Sequence, residues 1–584
     1  AEVDADFLAS MENWRYDLAK NLALRNPRLS QRELNFAVQR ILDRIVFLRI
    51  CEDRGLEDYG RLLALTNGLR IYPRLCQLFE QADTRYNSGL FHFQPERDRQ
   101  EPPDELTLGL DVDDRLLRDL LKGLYYPDSP YEFSVLSADI LGQVYEQFLG
   151  KVIRLTEGHQ AKIEEKPEVR KAGGVYYTPT YIVDYIVRQT VGILLDDIAG
   201  RDRSADFSPL QRAKSDETGE IMDANAGREL KRPEGRAPSA TAILNRVAKL
   251  RILDPACGSG SFLICAYQFL LDWHLQFYLA NDPEKWAKGK KPALVQTTRG
   301  WRLTIAERKR ILLTHIYGVD IDPQAVEVTK LSLLLKVLEG ENQQTIEPLF
   351  RIFHERALPD LGDNIKCGNS LIGPDFYQQA ELPLLTDDEK YRINVFDWRA
   401  EFPHIFRRAT STGELREPAA ASPLDYGMPG VTLHGRYSYK KKKSDKAVPP
   451  PAPLETEWEG GFDAVIGNPP YVRIQGFPTE QIAYFARTYK SATGNFDLYI
   501  PFIERGFRLL RPSGRLGMIT PNKFLRTDYG EGLRRVLAFE KSLSRIVDFG
   551  ASQVFSATTY TCLLFLQRGG LGSFEAAQVL ADEK

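Results

Sequence analysis

Near the start of the chain, apolar residues recur with a helical period. Leu34, Val38, Ile41, Leu42, Ile45, Val46 and Leu48 fall on one face. Ser30 followed by Glu33 reads as a capping box that opens this stretch, and Gly55 closes it. The pattern predicts a helix packed on one side, with a second helix around Ile140 to Leu149 ending the region. Nothing in residues 1–170 carries evident chemistry, and a helical scaffold is expected there. From Gly173 onward the rhythm changes. Short apolar runs at Leu250–Leu253, Ile316–Val319, Phe462–Ile466, Arg515–Thr520, Arg545–Phe549 and Thr559–Leu566 read as strands. Helical stretches such as Gln324–Leu338 and Leu498–Leu510 lie between them. This alternation predicts an α/β fold with a mostly parallel sheet covered on both faces. Ligands of such sheets bind at the carboxyl ends of the strands. Three stretches interrupt the rhythm: residues 198–245, 280–300 and 409–460, the last holding Lys440 to Lys443 and Pro449 to Pro451. They read as surface insertions or linkers.

Composition narrows the picture. At ~150 residues per domain, the 584 residues suggest more than one domain, and 43 % hydrophobic with 11 % aromatic content is globular. Lysine and arginine number 77 against 80 acids, so any grip on nucleic acid must come from a local patch. The longest apolar run, around Leu331 to Leu338, is broken by Ser332 and Lys336 and falls short of the ~18–20 residues of a membrane span. Cys51, Cys76, Cys257, Cys265, Cys367 and Cys562 are too few and too scattered for a disulfide framework or zinc site. A soluble, reduced, cytoplasmic protein with no metal and no membrane partner is expected. The opening at Ala1 without a methionine suggests a piece of something longer.

Three segments carry candidate chemistry. Ile252 to Leu263 reads as a strand, a small-residue turn and a helix start. Gly258 and Gly260 let a ligand approach the backbone, and the helix N-terminus offers free N–H groups. Asp254, at the strand end, could bind a cationic or hydroxyl group, although a plain tight turn shares the Gly-x-Gly pattern. The next strand ends Tyr317-Gly318-Val319-Asp320, and an acid there suits a ribose hydroxyl pair. Asp322-Pro323 reads instead as a helix cap followed by a first-turn proline. Finally, the apolar strand Phe462 to Ile466 runs into Gly467-Asn468-Pro469-Pro470-Tyr471. The diproline makes the turn rigid. Asn468 offers an amide oxygen, Pro469 a carbonyl and Tyr471 a stacking face, groups that suit a planar substrate bearing an NH₂. A rigid turn after a strand is the bland alternative, outweighed by the motifs before it.

The ordered set Gly174 to Pro179, Asp254 to Leu263, Gly318 to Pro323, Cys367 to Leu371 and Asn468 to Tyr471 resembles the gamma-type adenine-specific DNA methyltransferases. Within that group it is similar to the methylase module of Type IIG restriction–modification enzymes and related phage-defence methylases. The resemblance implies a Rossmann-like, mostly parallel seven-stranded sheet over residues 171–570. It also implies a helical connector before it, and a stub at 571–584 leading to a target-recognition domain. It implies S-adenosylmethionine as cofactor and double-stranded DNA as partner. By the family's pattern, Thr178 and Pro179 match the segment that closes over the cofactor, and Asp254, Ala256, Gly258 and Gly260 the loop at its methionine end. Asp320 matches the acid on its ribose, and Asn369 with Ser370 the segment at its adenine. Asn468, Pro469, Pro470 and Tyr471 match the catalytic loop, and Phe555 an aromatic that sandwiches the target base with Tyr471. Phe555 also reads as an ordinary core phenylalanine.

The implied reaction is methyl transfer to the exocyclic amino nitrogen of an adenine rotated out of the duplex. A restriction nuclease would need an acid and a Glu-x-Lys on adjoining strands. Glu164-Glu165-Lys166 and Glu307-Arg308-Lys309 match only its short part; the second lies in an evident helix, and neither has a partnered acid in strand context. Nuclease and target-recognition modules are therefore expected elsewhere. The alternatives are a protein glutamine methyltransferase using the same pocket, a methyltransferase for the cytosine amino group, or a binding module with a dead methylase fold.

Overall fold

A computed structural model describes residues 2–86, 89–95, 102–129, 132–133, 142, 145, 150–166, 178–200, 239–298, 300–342, 358–378, 385–408, 458–550, 554, 560–570 and 573–579. The N-terminal region is helical, as its periodicity predicts. Helix α1 spans Glu2–Arg25 and α2 spans Gln31–Asp53, with the capping box of Ser30 and Glu33 formed in both directions. Most of the second expected helix, Ile140 to Leu149, lies outside the described residues. The region is not purely helical: Lys151–Leu155 and Ala161–Glu165 form an antiparallel hairpin. Glu164 therefore lies in a strand, and it ion-pairs with Arg154 at 3.3 Å. Glu307 sits in the helix Ile305–His315, as expected.

The C-terminal part is α/β. Its central sheet has eight strands: β1 Ile252–Asp254, β2 Ile316–Asp320, β3 Ile365–Cys367, β4 Phe462–Gly467, β5 Leu510–Pro521, β6 Leu543–Asp548, β7 Thr561–Gln567 and β8 Glu575–Gln578. In space they lie in the order β8-β6-β7-β5-β4-β1-β2-β3. All pairings are parallel except the two made by β7. The expected count of seven is thus corrected to eight. The added strand, β8, falls in the segment expected to be a stub. Its residues Glu-Ala-Ala-Gln are exposed on both faces, so they show no apolar alternation, and it is held by parallel pairing to the edge of β6.

Alternation along the strands sends side chains into two cores. Ile252, Ala464 and Ile466 face one core, shared with α2, α3 (Ser261–Ala280) and α4 (Pro323–Val337). Leu253, Val465, Leu516 and Met518 face the other, shared with α5 (Tyr499–Arg508) and α6 (Glu531–Glu540). The helical region is continuous with the first core. Arg40 Nη1 meets Glu327 of α4 at 2.6 Å, and Arg54 Nη1 donates to the Leu335 carbonyl at 3.1 Å. Chain order runs outward from β1 to β3 on one side and from β4 to β5 on the other, where β7 then inserts between β5 and β6. The β1/β4 junction is therefore the switch point of the sheet, where a crevice opens beyond the strand ends.

Two of the expected insertions hold regular structure. In 280–300 a helical turn, Pro283–Trp286, precedes an antiparallel hairpin of Leu294–Thr297 and Gly300–Leu303. The 409–460 segment leaves and returns through the pair Phe406–Arg408 and Trp458–Gly460. At the border of 198–245, a helix spans Ala240–Val247. Among the described residues, no helix is long and apolar enough to cross a membrane.

Candidate active site

The turn after β1 is shaped by its glycines. Gly258 and Gly260 hold φ of +54° and +88°, and a Cβ on Gly260 would sit 3.0 Å from the Thr329 side chain. Thr329, on the inward face of α4, donates from Oγ1 to the Gly258 carbonyl at 2.8 Å. No motif marks it in the sequence; its one signal is a polar residue, fully buried, within an apolar helical run. Asp320, at the tip of β2, closes the turn from the other side. Its two carboxylate oxygens accept from the backbone N–H of Gly258 and of Asp322, each at 2.9 Å. Asp322 caps α4 by accepting from Gln324 N at 3.0 Å and ion-pairs with Lys166, so it is structural as expected.

The two acids compete for little positive charge. Burial pushes the Asp254 carboxyl up to about 8, and the neighbouring Asp320 adds to that; only the N–H of Ala256, at 3.0 Å, opposes it. Burial likewise lifts Asp320 to about 6, with Asp322 repelling it and the backbone N–H groups and Lys166 pulling the other way. Beside Asp320, Ile321 is 48 % exposed, a bare apolar surface at the strand tip.

In the third loop, Ser370 Oγ donates to the Pro255 carbonyl at 2.6 Å and locks this loop to the glycine turn. The Asn369 side chain is engaged within the protein: Nδ2 donates to Ile393 O at 3.1 Å, and Oδ1 accepts from Leu371 N at 3.1 Å.

The loop after β4 meets this group at the switch point. Gly467 has φ of +155°, and a Cβ there would lie 2.6 Å from Asp254 Oδ1, so only a glycine lets the strand end pass this close. Asn468 follows. Its Nδ2 donates to Thr178 Oγ1 at 3.1 Å, while its Oδ1 is buried and without a partner. Thr178, expected in the segment that closes over the cofactor, thus contacts the Asn468 amide, and Pro179 begins the turn into the helix Thr180–Val187. Among the described residues no donor meets the carbonyl of the buried Pro469. The Tyr471 hydroxyl donates to Ile519 O on β5 at 3.2 Å, and its ring meets Tyr499 edge-on at 6.1 Å. Phe555 and residues 174–177 lie outside the described residues.

The structure therefore brings Thr178, Asp254, Gly258, Gly260, Asp320 and Asn468 to one edge. What they share is acceptor capacity: two buried carboxyl groups with little positive charge beside them, an amide oxygen without a partner and a carbonyl that no donor meets among the described residues. A ligand bringing an ammonium, ribose hydroxyls and an aromatic amine would use that capacity. This acceptor set fits S-adenosylmethionine. Among the described residues no cluster of His, Cys, Asp or Glu could hold a metal ion.

Known proteins are similar to this chain in sequence. Residues 239–349 match the N-6 DNA Methylase family, and 314–555 match the Eco57I restriction-modification methylase family. The Type II restriction enzyme and methyltransferase RM.Eco57I of Escherichia coli is 31 % identical over 99 % of this chain and 45 % of its own. A putative Type II restriction enzyme and methyltransferase of Methanocaldococcus jannaschii, RM.MjaORFECS2P, is 26 % identical over 90 % of this chain and 48 % of its own. The chain thus spans about half the length of these curated relatives. The Type IIL restriction-modification enzyme MmeI, solved in complex with DNA, shares the fold with a TM-score of 0.51 and 13 % identity. That match covers 98 % of this chain and 58 % of that one.

Proposed function

This chain resembles the adenine-specific DNA methylases of restriction–modification enzymes, and on that footing we propose that it methylates the exocyclic amino nitrogen of an adenine extruded from duplex DNA. The observation that carries this reading is Asn468. Its amide is pinned through Nδ2 to Thr178, which leaves a buried acceptor with nothing to accept. S-adenosylmethionine, when bound over the glycine turn, supplies an electrophilic methyl group. The Asn468 oxygen and the Pro469 carbonyl would each accept a hydrogen bond from the adenine amino group. That would pull the nitrogen toward tetrahedral geometry, so its lone pair leaves the ring and becomes nucleophilic. As the nitrogen bonded the methyl carbon, the carbon–sulfur bond would break with its electron pair staying on sulfur, and the nitrogen would then lose one proton to solvent. Tyr471, held by Ile519 and Tyr499, offers a flat face to the base; such stacking is worth ~1–3 kcal/mol and offsets part of the cost of extrusion. The protein positions and polarises, and orientation of this kind can supply ~7–11 kcal/mol. Nuclease and target-recognition modules belong, in this reading, to the remaining length of the protein.

Mapping N6-methyladenine in DNA from cells carrying the gene tests the proposal. A reproducible modified motif, lost on deletion, is expected; unmodified DNA together with methylated glutamine on a protein would overturn it.

Proton linkage gives a second check. A cofactor ammonium pairs with ionised Asp254, whose carboxyl stands near 8 in the free protein. Below that pH, binding must release a proton, so affinity for S-adenosylmethionine is expected to rise with pH by up to tenfold per unit between about 6 and 8. Calorimetry in buffers of different ionisation enthalpy reads the released proton, and Asp254→Asn should flatten the profile. By the same linkage Asp254 itself binds more protons in the folded free protein than in the unfolded chain between about 4 and 8, so its own contribution to stability falls as pH rises through that window.

A further inference from the structure

The chain segment that follows the catalytic loop is stapled to a second one. Ile474 N donates to Phe496 O at 3.2 Å, Leu498 N to Val472 O at 2.9 Å, and Arg473 bridges Asp497 in antiparallel register. This places Arg473, two residues beyond Tyr471, at the mouth of the crevice, where it is exposed. The strand that anchors the Tyr471 hydroxyl, β5, ends at Pro521, and the turn after it presents Lys523 and Arg526, both exposed. Arg473 and Lys523 both act on the half-buried Asp497 carboxyl, which lies between the two loops. Yet none of the three cations makes an ion pair or side-chain hydrogen bond among the described residues. Elsewhere most arginines are engaged: Arg508 holds Glu504, Arg511 holds Asp463, Arg534 holds the Phe524 carbonyl. Unpaired cations on two loops that bracket one stacking aromatic are arranged for an anion that arrives with the base.

We propose that Arg473, Lys523 and Arg526 form a phosphate clamp that holds the DNA backbone on either side of the extruded nucleotide. The clamp rests on the methylase reading above and deepens it, because it names what grips the strand while Asn468 and Tyr471 hold the base. An extruded nucleotide swings about its flanking phosphates, so fixing those fixes where the amino group arrives. Arg presents a planar fork to phosphate oxygens, and Lys a compact charge. The net charge of −3 makes such a patch the local source of affinity for a polyanion.

The test compares R473A/K523A/R526A with the unaltered chain by fluorescence anisotropy, using a short labelled duplex of mixed sequence across a salt series. Each neutralised phosphate contributes ~0.9 to the slope of log Kd against log salt, so the slope should flatten by about 2 to 3, with affinity weakened about tenfold or more. The charge-preserving R473K/K523R/R526K should keep most of the slope. K290A/K291A, in the loop beyond the far end of α3, should leave it unaltered. S-adenosylmethionine binding should be the same in all of them. An unchanged slope in the triple alanine variant overturns the clamp while methylation by the unaltered chain stands. Absence of DNA binding by the unaltered chain also overturns the clamp, whereas the methylase reading stands or falls separately on the N6-methyladenine map.

Discussion

Asn468→Ala is expected to lower the single-turnover rate of methyl transfer by about 10²–10³-fold, the loss seen when one preorganised partner of a developing charge is removed. The orphaned Oδ1 is the reason. In the free protein this buried acceptor costs something, and the adenine amino group relieves it only when the base is seated. The relief grows as the nitrogen gives up its lone pair and its hydrogens become more acidic, so the interaction is stronger at the transition state than in the ground state. The rate should therefore fall more than DNA affinity does. Cofactor affinity should stay within a few-fold, because the glycine turn is held by Asp320 and Thr329 rather than by Asn468. Asn468→Asp is informative beside it. An ionised carboxylate keeps an acceptor but would sit unpaired near Asp254, so partial activity that declines as pH rises is the expected signature. Retention of the full rate in Asn468→Ala would remove the amide from the mechanism. Equal loss of rate and cofactor binding would mean that Asn468 only shapes the crevice.

Much of this arrangement is legible in the sequence, and the reason is local. Strands β1, β2 and β4 are short, almost wholly buried apolar runs, and each runs out into a polar residue with a proline within the next three positions. Burial on both faces erases the period of two, but the abrupt end marks where the chain meets the crevice. The capping box at Ser30 and the cap at Asp322 are equally local, with donor and acceptor within a few residues. What escaped is non-local. Strand β3 is three residues long and β8 is polar, and both exist because a neighbouring edge offers backbone partners. The hydrogen bond from Asn468 to Thr178 spans 290 positions, and the one from Tyr471 to Ile519 spans 48. Thr329 looks like one more residue of an apolar helix until the turn it supports is seen across from it. Asn369 shows the converse: its motif suggests a ligand contact, and the fold gives both ends of its amide to the backbone.

Gly467→Ala should then strike both halves of the site with a single added methyl. The new Cβ would stand 2.6 Å from Asp254 Oδ1 and 3.1 Å from its carboxyl carbon, on a backbone at φ +155° that residues with side chains rarely adopt. Strain of that kind costs about 1–3 kcal/mol, and crowding in a packed site a similar amount. Neither neighbour can give way cheaply. Asp254 ends a strand paired on both sides, and Asn468 is tied to Thr178. Relief must come from a shift of the catalytic loop, of Asp254, or of both, and a displacement near 1 Å can cost about 10²-fold in rate. Two losses that are independent in other variants are therefore expected together: weaker cofactor binding through Asp254 and slower transfer through Asn468. Calorimetry and single-turnover rates read them separately, while circular dichroism should show the secondary structure intact. Gly109→Ala, where an added Cβ meets nothing within 4 Å, serves as the comparison and should leave both unchanged. If Gly467→Ala binds and turns over normally, the close approach of β4 to β1 is not what sets the geometry of the crevice, and the switch point does not organise the site.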